Sequence, residues 1–193
     1  MSKKILIING HPDDDSFNHA LTCSYEKGAL NAKAEVHTIH IGELKFDHNL
    51  KFGYKKDIEL ESDLKDAIEK LQNADHLVFI HPVWWGSYPA VMKGFIDRVF
   101  LPNITFAHDK NNKRQMLLSG KSARIIQTME APTWYYRLLL GNPAIKQLKN
   151  ITLNFCGVKK VAQTCFGNIS NATEQKREKW IKSVENLGFA EAR

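Results

Sequence analysis

The chain has 193 residues, of which 43% are hydrophobic and 25% charged, with a formal net charge of +6. That size and balance describe one globular domain with a core of ordinary size and exclude a disordered chain. No run approaches the ~20 apolar residues of a membrane span, and the basic excess is nowhere denser than pairs such as Lys3-Lys4, Lys55-Lys56 and Lys159-Lys160. Such scatter speaks against nucleic acid as a partner and suits an enzyme that draws in anionic, phosphorylated cofactors.

Residues 5–8, Ile-Leu-Ile-Ile, form a continuous apolar run, as expected of a strand covered by helices on both faces. The N-terminus enters this run directly, without the pattern of a signal peptide. The run breaks into Asn9-Gly10-His11-Pro12 and then Asp13-Asp14-Asp15, a solvated turn. Ser16 is placed to cap a helix over residues 17–31, whose Ala20, Ser24 and Gly28 give a small-residue face for close approach to the sheet. A loop entering a helix N-terminus offers unpaired N–H groups and a positive dipole end, and Ser16, Asn18 and His11 add donors to this anion site. The loop matches neither G-x-G-x-x-G nor G-x-x-x-x-G-K-[ST], so a classical dinucleotide fold and a nucleotide triphosphatase are both disfavoured.

A second strand is expected over residues 35–41. Its His37 and His40 stand at an odd separation and face opposite ways, so no metal site is expected. An irregular stretch, 43–54, leads to a helix over 57–73 with Leu60, Leu64, Ala67, Ile68 and Leu71 as its inner stripe. Leu77, Val78, Phe79 and Ile80 form a third buried strand, and Pro89 suits the first turn of the helix that follows. Between them Pro82, Val83, Trp84, Trp85, Gly86, Ser87 and Tyr88 make a loop with three large rings, suited to a flat ligand, to core packing or to an oligomer interface.

Residues 102–121, rich in Asn, Lys and Gly, form a long excursion with a dimer or lid role. A fourth strand is expected over 122–128 with the loop Met129 to Thr133 after it. A helix over 143–156 with Gly157 as its stop, a fifth strand over 160–166 and a helix over 172–187 complete the chain. Cys23, Cys156 and Cys165 show no Cys-x-x-Cys spacing, so free thiols in a reducing, cytoplasmic setting are expected.

Alternating strands and helices without repeat or linker imply a single α/β domain over residues 1–193, a doubly wound five-stranded parallel sheet with helices on both faces. Ligands of such sheets lie beyond the strand carboxyl ends where the winding reverses, and the loops after strands one, three and four meet there. A phosphate at the first loop and a flat ring between the other two describe a mononucleotide such as FMN.

The opening N-G-H-P and S-F-N-H-A-L, the segment HPVWWGSYPAVMKGFIDRVF and the late N-F-C-G resemble the NAD(P)H:quinone oxidoreductase (DT-diaphorase-like) family of flavodoxin-like flavoproteins along nearly the whole chain. The resemblance implies a flavodoxin-like fold, a homodimer, and two-electron reduction of quinones with NAD(P)H as co-substrate. It assigns His11, Ser16, Phe17, Asn18 and Ala20 to the phosphate and ribityl end. Pro82, Val83, Trp84, Trp85 and Gly86 would border the flavin ring with Thr128, Met129, Glu130 and Ala131.

Two departures stand out. Thr128-Met129-Glu130-Ala131 replaces the Thr-Thr-Gly-Gly of many members. The family's tyrosine matches Tyr135 or Tyr136, while its companion histidine has no counterpart. The chain also lacks the C-terminal extension of the longer FAD-binding members, which favours FMN, with FAD the alternative.

Flavin chemistry asks a protein for position and electrostatics. A nicotinamide and then an acceptor would use one flavin face in ping-pong fashion. Backbone N–H groups of residues 129–131 would stabilise charge on the reduced ring, and Tyr135 or Tyr136 would hydrogen-bond flavin or substrate. A flavodoxin-like electron carrier and a regulatory flavoprotein subunit of an ion transport system are the other readings. Trp84, Trp85, Tyr88, Trp134, Tyr135 and Tyr136 would complete the substrate pocket across a dimer seam.

Overall fold

In the computed structural model, which describes residues 2–53, 55–56 and 59–193, each expected strand forms. β1 (Lys4–Asn9), β2 (Glu35–His40), β3 (His76–Pro82), β6 (Ser122–Thr128) and β7 (Lys160–Phe166) make one parallel sheet in the order β2-β1-β3-β6-β7. The winding reverses between β1 and β3, so the loops after β1, β3 and β6 open on one crevice. β3 is buried along its whole length, the outcome of a run that packs both ways.

Helices cover both faces. Leu6, Ile8, Leu77, Phe79 and Ile125 face α2 (Ser62–Asn73) and α3 (Ala90–Val99), and Ile5, Ile7, Val78 and Ile80 face α1 (Phe17–Asn31) and α7 (Glu174–Glu191). Ser16 caps α1 as expected, its Oγ accepting from His19 N at 3.2 Å. The small face of α1 packs on α7 instead of the sheet. A Cβ on Gly28 would stand 1.9 Å from Glu185 O, one on Gly188 would stand 2.1 Å from Tyr25 O, and Ser24 Oγ donates to Ile181 O at 2.7 Å. The sheet takes Leu21, Tyr25 and Ala29.

Other boundaries moved for local reasons. α2 starts at Ser62; residues 57 and 58 lie outside the described residues, and Leu60 packs on the core from the approach to the helix. Here Arg98, 1% exposed, bonds Asp47 O and reaches Glu61 Oε2 at 2.7 Å, tying the irregular stretch to α3. The excursion folds into an antiparallel pair, β4 (Phe106–His108) and β5 (Arg114–Met116), turned at Asn112 with φ 59°. A short α4 (Thr133–Leu138) follows Pro132 where a loop was expected. α5 (Pro143–Ile145), a π-helical stretch Lys146–Leu153 and α6 (Asn154–Cys156) run on as one helix to Gly157, whose φ is 107°. Thr152 Oγ1 donates to Gln147 O, five residues back, in keeping with the wider turn.

At the amino ends of the strands, Glu191 of α7 accepts from Arg124 Nε at 2.7 Å and from Tyr25 Oη at 2.7 Å, with His76 Nε2 3.4 Å away. Burial alone would raise this carboxyl; the neighbouring His76, Arg124 and Tyr25 overcome it and hold the group at about 2.

Candidate active site

The three carboxyl-end loops enclose a cleft of about 320 Å³. Asn9, buried at the end of β1 and outside the cleft wall, orients the first loop, its Oδ1 accepting from His11 N at 3.1 Å. His11 Nδ1 lies 3.0 Å from Asp13 N and 3.1 Å from Asp13 O, which turns the ring back onto its own loop. His11, Ser16, Phe17 and Asn18 all line the cleft. The amides of Phe17 and Asn18 have no partner among the described residues, and no acidic side chain stands in the first turn of α1. An uncompensated helix N-terminus of this kind attracts an anion. Asp14 and Asp15 are exposed, while Asp13 borders the cleft with Oδ1 engaged by Asp15 N at 3.0 Å.

Asn18 is 4% exposed, and its Nδ2 donates to Thr128 Oγ1 at 2.9 Å. Its side chain therefore joins the first loop to the fourth strand, with one amide hydrogen left for a ligand. Ala20 lies one turn along α1 and is not part of the cleft wall.

Pro82, Val83 and Trp84 supply the second wall. Val83 N donates to Thr128 O at 2.8 Å, and the Trp84 ring meets the His11 ring edge-on at 5.5 Å. Trp84 and Ser87 exchange backbone hydrogen bonds of 2.8 and 2.9 Å around Trp85 (φ 50°) and Gly86 (φ 79°). Two consecutive positive φ values make a tight turn of the I′ kind, costly for Trp85 and free for Gly86. The strain thrusts the Trp85 side chain, 105% exposed, clear of the protein and of the cleft wall. Tyr88 is buried against the His81 ring, so it belongs to the core.

Thr128, Met129 and Glu130 close the third side, and Ala131 stands just outside the wall. Met129 N is already donated to Phe166 O at 2.9 Å, so charge stabilisation by that amide, expected from the sequence, is not open to it. The amides of Glu130 and Ala131 have no partner among the described residues. The Tyr136 hydroxyl donates to Gly86 O and accepts from Ala144 N, both at 3.1 Å, which holds α4 against the tryptophan turn. Tyr135 is exposed on α4 with its ring against Trp134.

His81, Gln127 and Ile169 escaped the sequence reading. Ile169 lines the cleft from the loop after β7, a segment with no motif to mark it. His81 is fully buried, and burial lowers its ring to about 4. Because a carbonyl only accepts, Nδ1 carries the proton and donates to Pro82 O at 2.9 Å; Nε2 faces Gln127 Nε2 at 3.4 Å. A neutral histidine thus fixes the peptide that opens the tryptophan loop.

A doubly wound parallel sheet with an anion-ready helix start and a ring-lined cleft at its switch point defines a flavodoxin-like α/β protein. The chain belongs to the flavodoxin-like fold family, whose model matches residues 3–187. It is 26% identical over 218 residues to ribosyldihydronicotinamide dehydrogenase [quinone] of Rattus norvegicus, covering 96% of this chain and 92% of that one. It is 28% identical over 140 residues to FMN-dependent NADH:quinone oxidoreductase of Mycoplasmoides gallisepticum, covering 69% and 71%. Among solved structures, Smu.1420 from Streptococcus mutans UA159 superposes with a TM-score of 0.84 at 28% identity, covering 97% and 99%. These likenesses bear out the family that the sequence motifs resembled.

Proposed function

We propose that the protein is an FMN-dependent NAD(P)H oxidoreductase that reduces quinones or related acceptors by two electrons. The carrying observation is the cleft itself: Phe17 and Asn18, whose amides have no partner among the described residues, line it together with Trp84, in a chain similar to an FMN-dependent NADH:quinone oxidoreductase. The residues fit the cofactor. Phe17 and Asn18 amides with Ser16 and His11 would hold the phosphate, and Ala20 would support that turn of helix. Pro82, Val83 and Trp84 would border the ring on one side and Thr128, Met129 and Glu130 on the other, with only the backbone of Trp85, Gly86 and Ala131 at the rim.

FMN, when bound, supplies the two-electron chemistry between nicotinamide and acceptor. This chain positions the cofactor through the Asn18–Thr128 pair and the His81-fixed Pro82 peptide. The amides of Glu130 and Ala131 would offset negative charge on the ring. Tyr135 is the tyrosine free to meet a substrate, while Tyr136 braces Gly86. One face serving both nicotinamide and acceptor gives ping-pong turnover.

The working unit is proposed as a single-domain, cytoplasmic homodimer. Trp84, Trp85, Trp134 and Tyr135 are exposed and continue into exposed Leu138, Leu139 and Leu140, an apolar surface of the kind a partner covers. Tyr88 and Tyr136, counted with that surface from sequence, are buried and contribute nothing to it. Among the described residues no helix is long and apolar enough to cross a membrane, and the three cysteines are free.

The test is the visible spectrum of the purified protein, chromatography of the flavin released by heat, and NADH and NADPH oxidation with menadione as acceptor. A yellow protein releasing FMN, with parallel double-reciprocal plots, is expected. A colourless protein that takes up neither FMN nor FAD on titration overturns the assignment, and sedimentation of a fully active monomer overturns the dimer.

A further inference from the structure

The basic residues are scattered along the sequence, and the fold collects one group of them. From Lys110 to Thr173 the chain has ten Lys and Arg against a single acid, Glu130, a net +9 in a chain of +6, so the remaining residues carry −3. Pairing follows the same division. Of those ten cations Arg124 alone forms an ion pair among the described residues, with Glu191, whereas seven Lys or Arg outside the segment each reach a carboxylate.

Five of the unpaired cations share one surface. Lys110 and Lys113 stand on the connection between β4 and β5, and the Arg114 guanidinium lies 4.3 Å from the centre of the Phe155 ring. Leu118 N donates to Cys156 O at 3.0 Å, and a Cβ on Gly157 would stand 2.9 Å from Met116 Cβ, so β5 is seated against the end of α6 and the turn that carries Lys159 and Lys160. All five cations are exposed, as are Met116 and Leu117. The acids on the elements around them are committed elsewhere: Asp109 Oδ1 accepts from Asn111 N and Lys113 N at 2.9 and 2.8 Å, Asp97 pairs with Lys93, and Asp75 accepts from Lys4 N. The surface borders the amino ends of β6 and β7, whereas Trp84, Trp134 and Leu138 to Leu140, assigned above to a second copy, lie at the carboxyl ends.

We propose that this surface docks on an anionic lipid bilayer, lying on the headgroups without entering the hydrocarbon core. Long Lys and Arg stems carry their charge to lipid phosphates, and two exposed apolar side chains, Met116 and Leu117, suit the headgroup layer. The surface exposes no large aromatic ring for stacking on bases, which places nucleic acid behind lipid as its occupant. The inference goes beyond the flavin reading and does not depend on it, because none of these residues lines the cleft.

The test is sedimentation of the full-length protein with vesicles of phosphatidylglycerol mixed equally with phosphatidylcholine, and with phosphatidylcholine alone. Binding to the anionic vesicles that falls as salt is added is expected, with none to the neutral ones. Each cation removed should weaken binding about fivefold, so Lys159→Gln with Lys160→Gln should weaken it about twentyfold, and Lys110→Gln with Lys113→Gln likewise. Lys27→Gln with Lys182→Gln takes the same charge from the α1–α7 side of the molecule and should change binding by about twofold at most. Leu117→Ser should lower the binding that survives at high salt. Thermal unfolding of each variant, matched to wild type, separates lost docking from lost fold.

No binding to the anionic vesicles at physiological salt would overturn the proposal. Equal loss from the Lys27 and Lys182 pair would also overturn it, since net charge alone would then explain the binding. Tighter binding to duplex DNA or to polyglutamate than to vesicles at the same salt would overturn it in favour of a nucleic acid or a protein. Vesicle binding by a protein that takes up no flavin would instead count against the oxidoreductase reading alone.

Discussion

Replacing Glu191 by Gln tests whether the far end of α7 is an electrostatic clamp. The carboxyl falls from 4.5 to about 2 on folding, and at 1.36 kcal/mol per unit that difference is worth about 3.4 kcal/mol. Its side chain is 19% exposed, so some of the interaction is screened and about 2–3 kcal/mol is expected. A depressed folded-state pKa gives stability that is complete well above 4.5 and lost as pH falls from there through about 2. The assay is urea unfolding of wild type and Glu191→Gln from pH 7 to pH 2.5, subtracting one curve from the other so that other carboxylates cancel. Wild type should lead by 2–3 kcal/mol at pH 7, with the gap closing in acid. A constant gap would mean that lost packing, not charge, explains the variant; no gap at pH 7 would refute the clamp.

Gly28→Ala sets a helix-propensity gain of about 1 kcal/mol against a Cβ placed 1.9 Å from Glu185 O, and a net loss of about 2 kcal/mol by thermal unfolding is expected; a stabilised variant would disprove the α1–α7 contact. Trp85→Gly removes left-handed strain from a fully exposed side chain, so it should gain about 1 kcal/mol in urea while weakening the proposed dimer in sedimentation. Arg98→Met should cost about 2 kcal/mol and speed amide hydrogen exchange at Lys45 and Asp47, whose N–H groups bond Asp63 and Glu61. Unchanged exchange there would mean the stretch holds its shape without Arg98.

Sequence and structure agree where local and global demands coincide. Ser16 and the apolar runs of β1 and β3 mark their own boundaries, and the loops of the candidate site were legible from strand ends alone. Disagreement arises where a residue's partner lies far along the chain. The spacing of Ala20, Ser24 and Gly28 announces close approach but not whether sheet or helix approaches. Thr133 to Leu140 carries no helical period, since Trp134, Tyr135, Leu138, Leu139 and Leu140 are all exposed and only Tyr136 turns in. His81 reads as one more polar residue beside Pro82; only burial among Gln127, Tyr88 and the Pro82 carbonyl gives it a task. The departure at Met129-Glu130-Ala131 was visible, yet the use of Met129 N by Phe166 needed the neighbouring strand.

The interlocked glycines of α1 and α7 have a thermodynamic consequence at the opposite end of α1. A helix seated backbone to backbone on its neighbour, which is itself pinned by Glu191, has no room to slide or tilt. The amides of Phe17 and Asn18 are therefore pre-organised, and the proposed phosphate would find them aimed without ordering any part of the chain. Association then forfeits little conformational entropy, and affinity tracks contact energy almost undiluted. Loosening the helix pair at Gly28, 10 residues away along α1 from Asn18, should thus appear as an entropic penalty on phosphate binding with its enthalpy preserved.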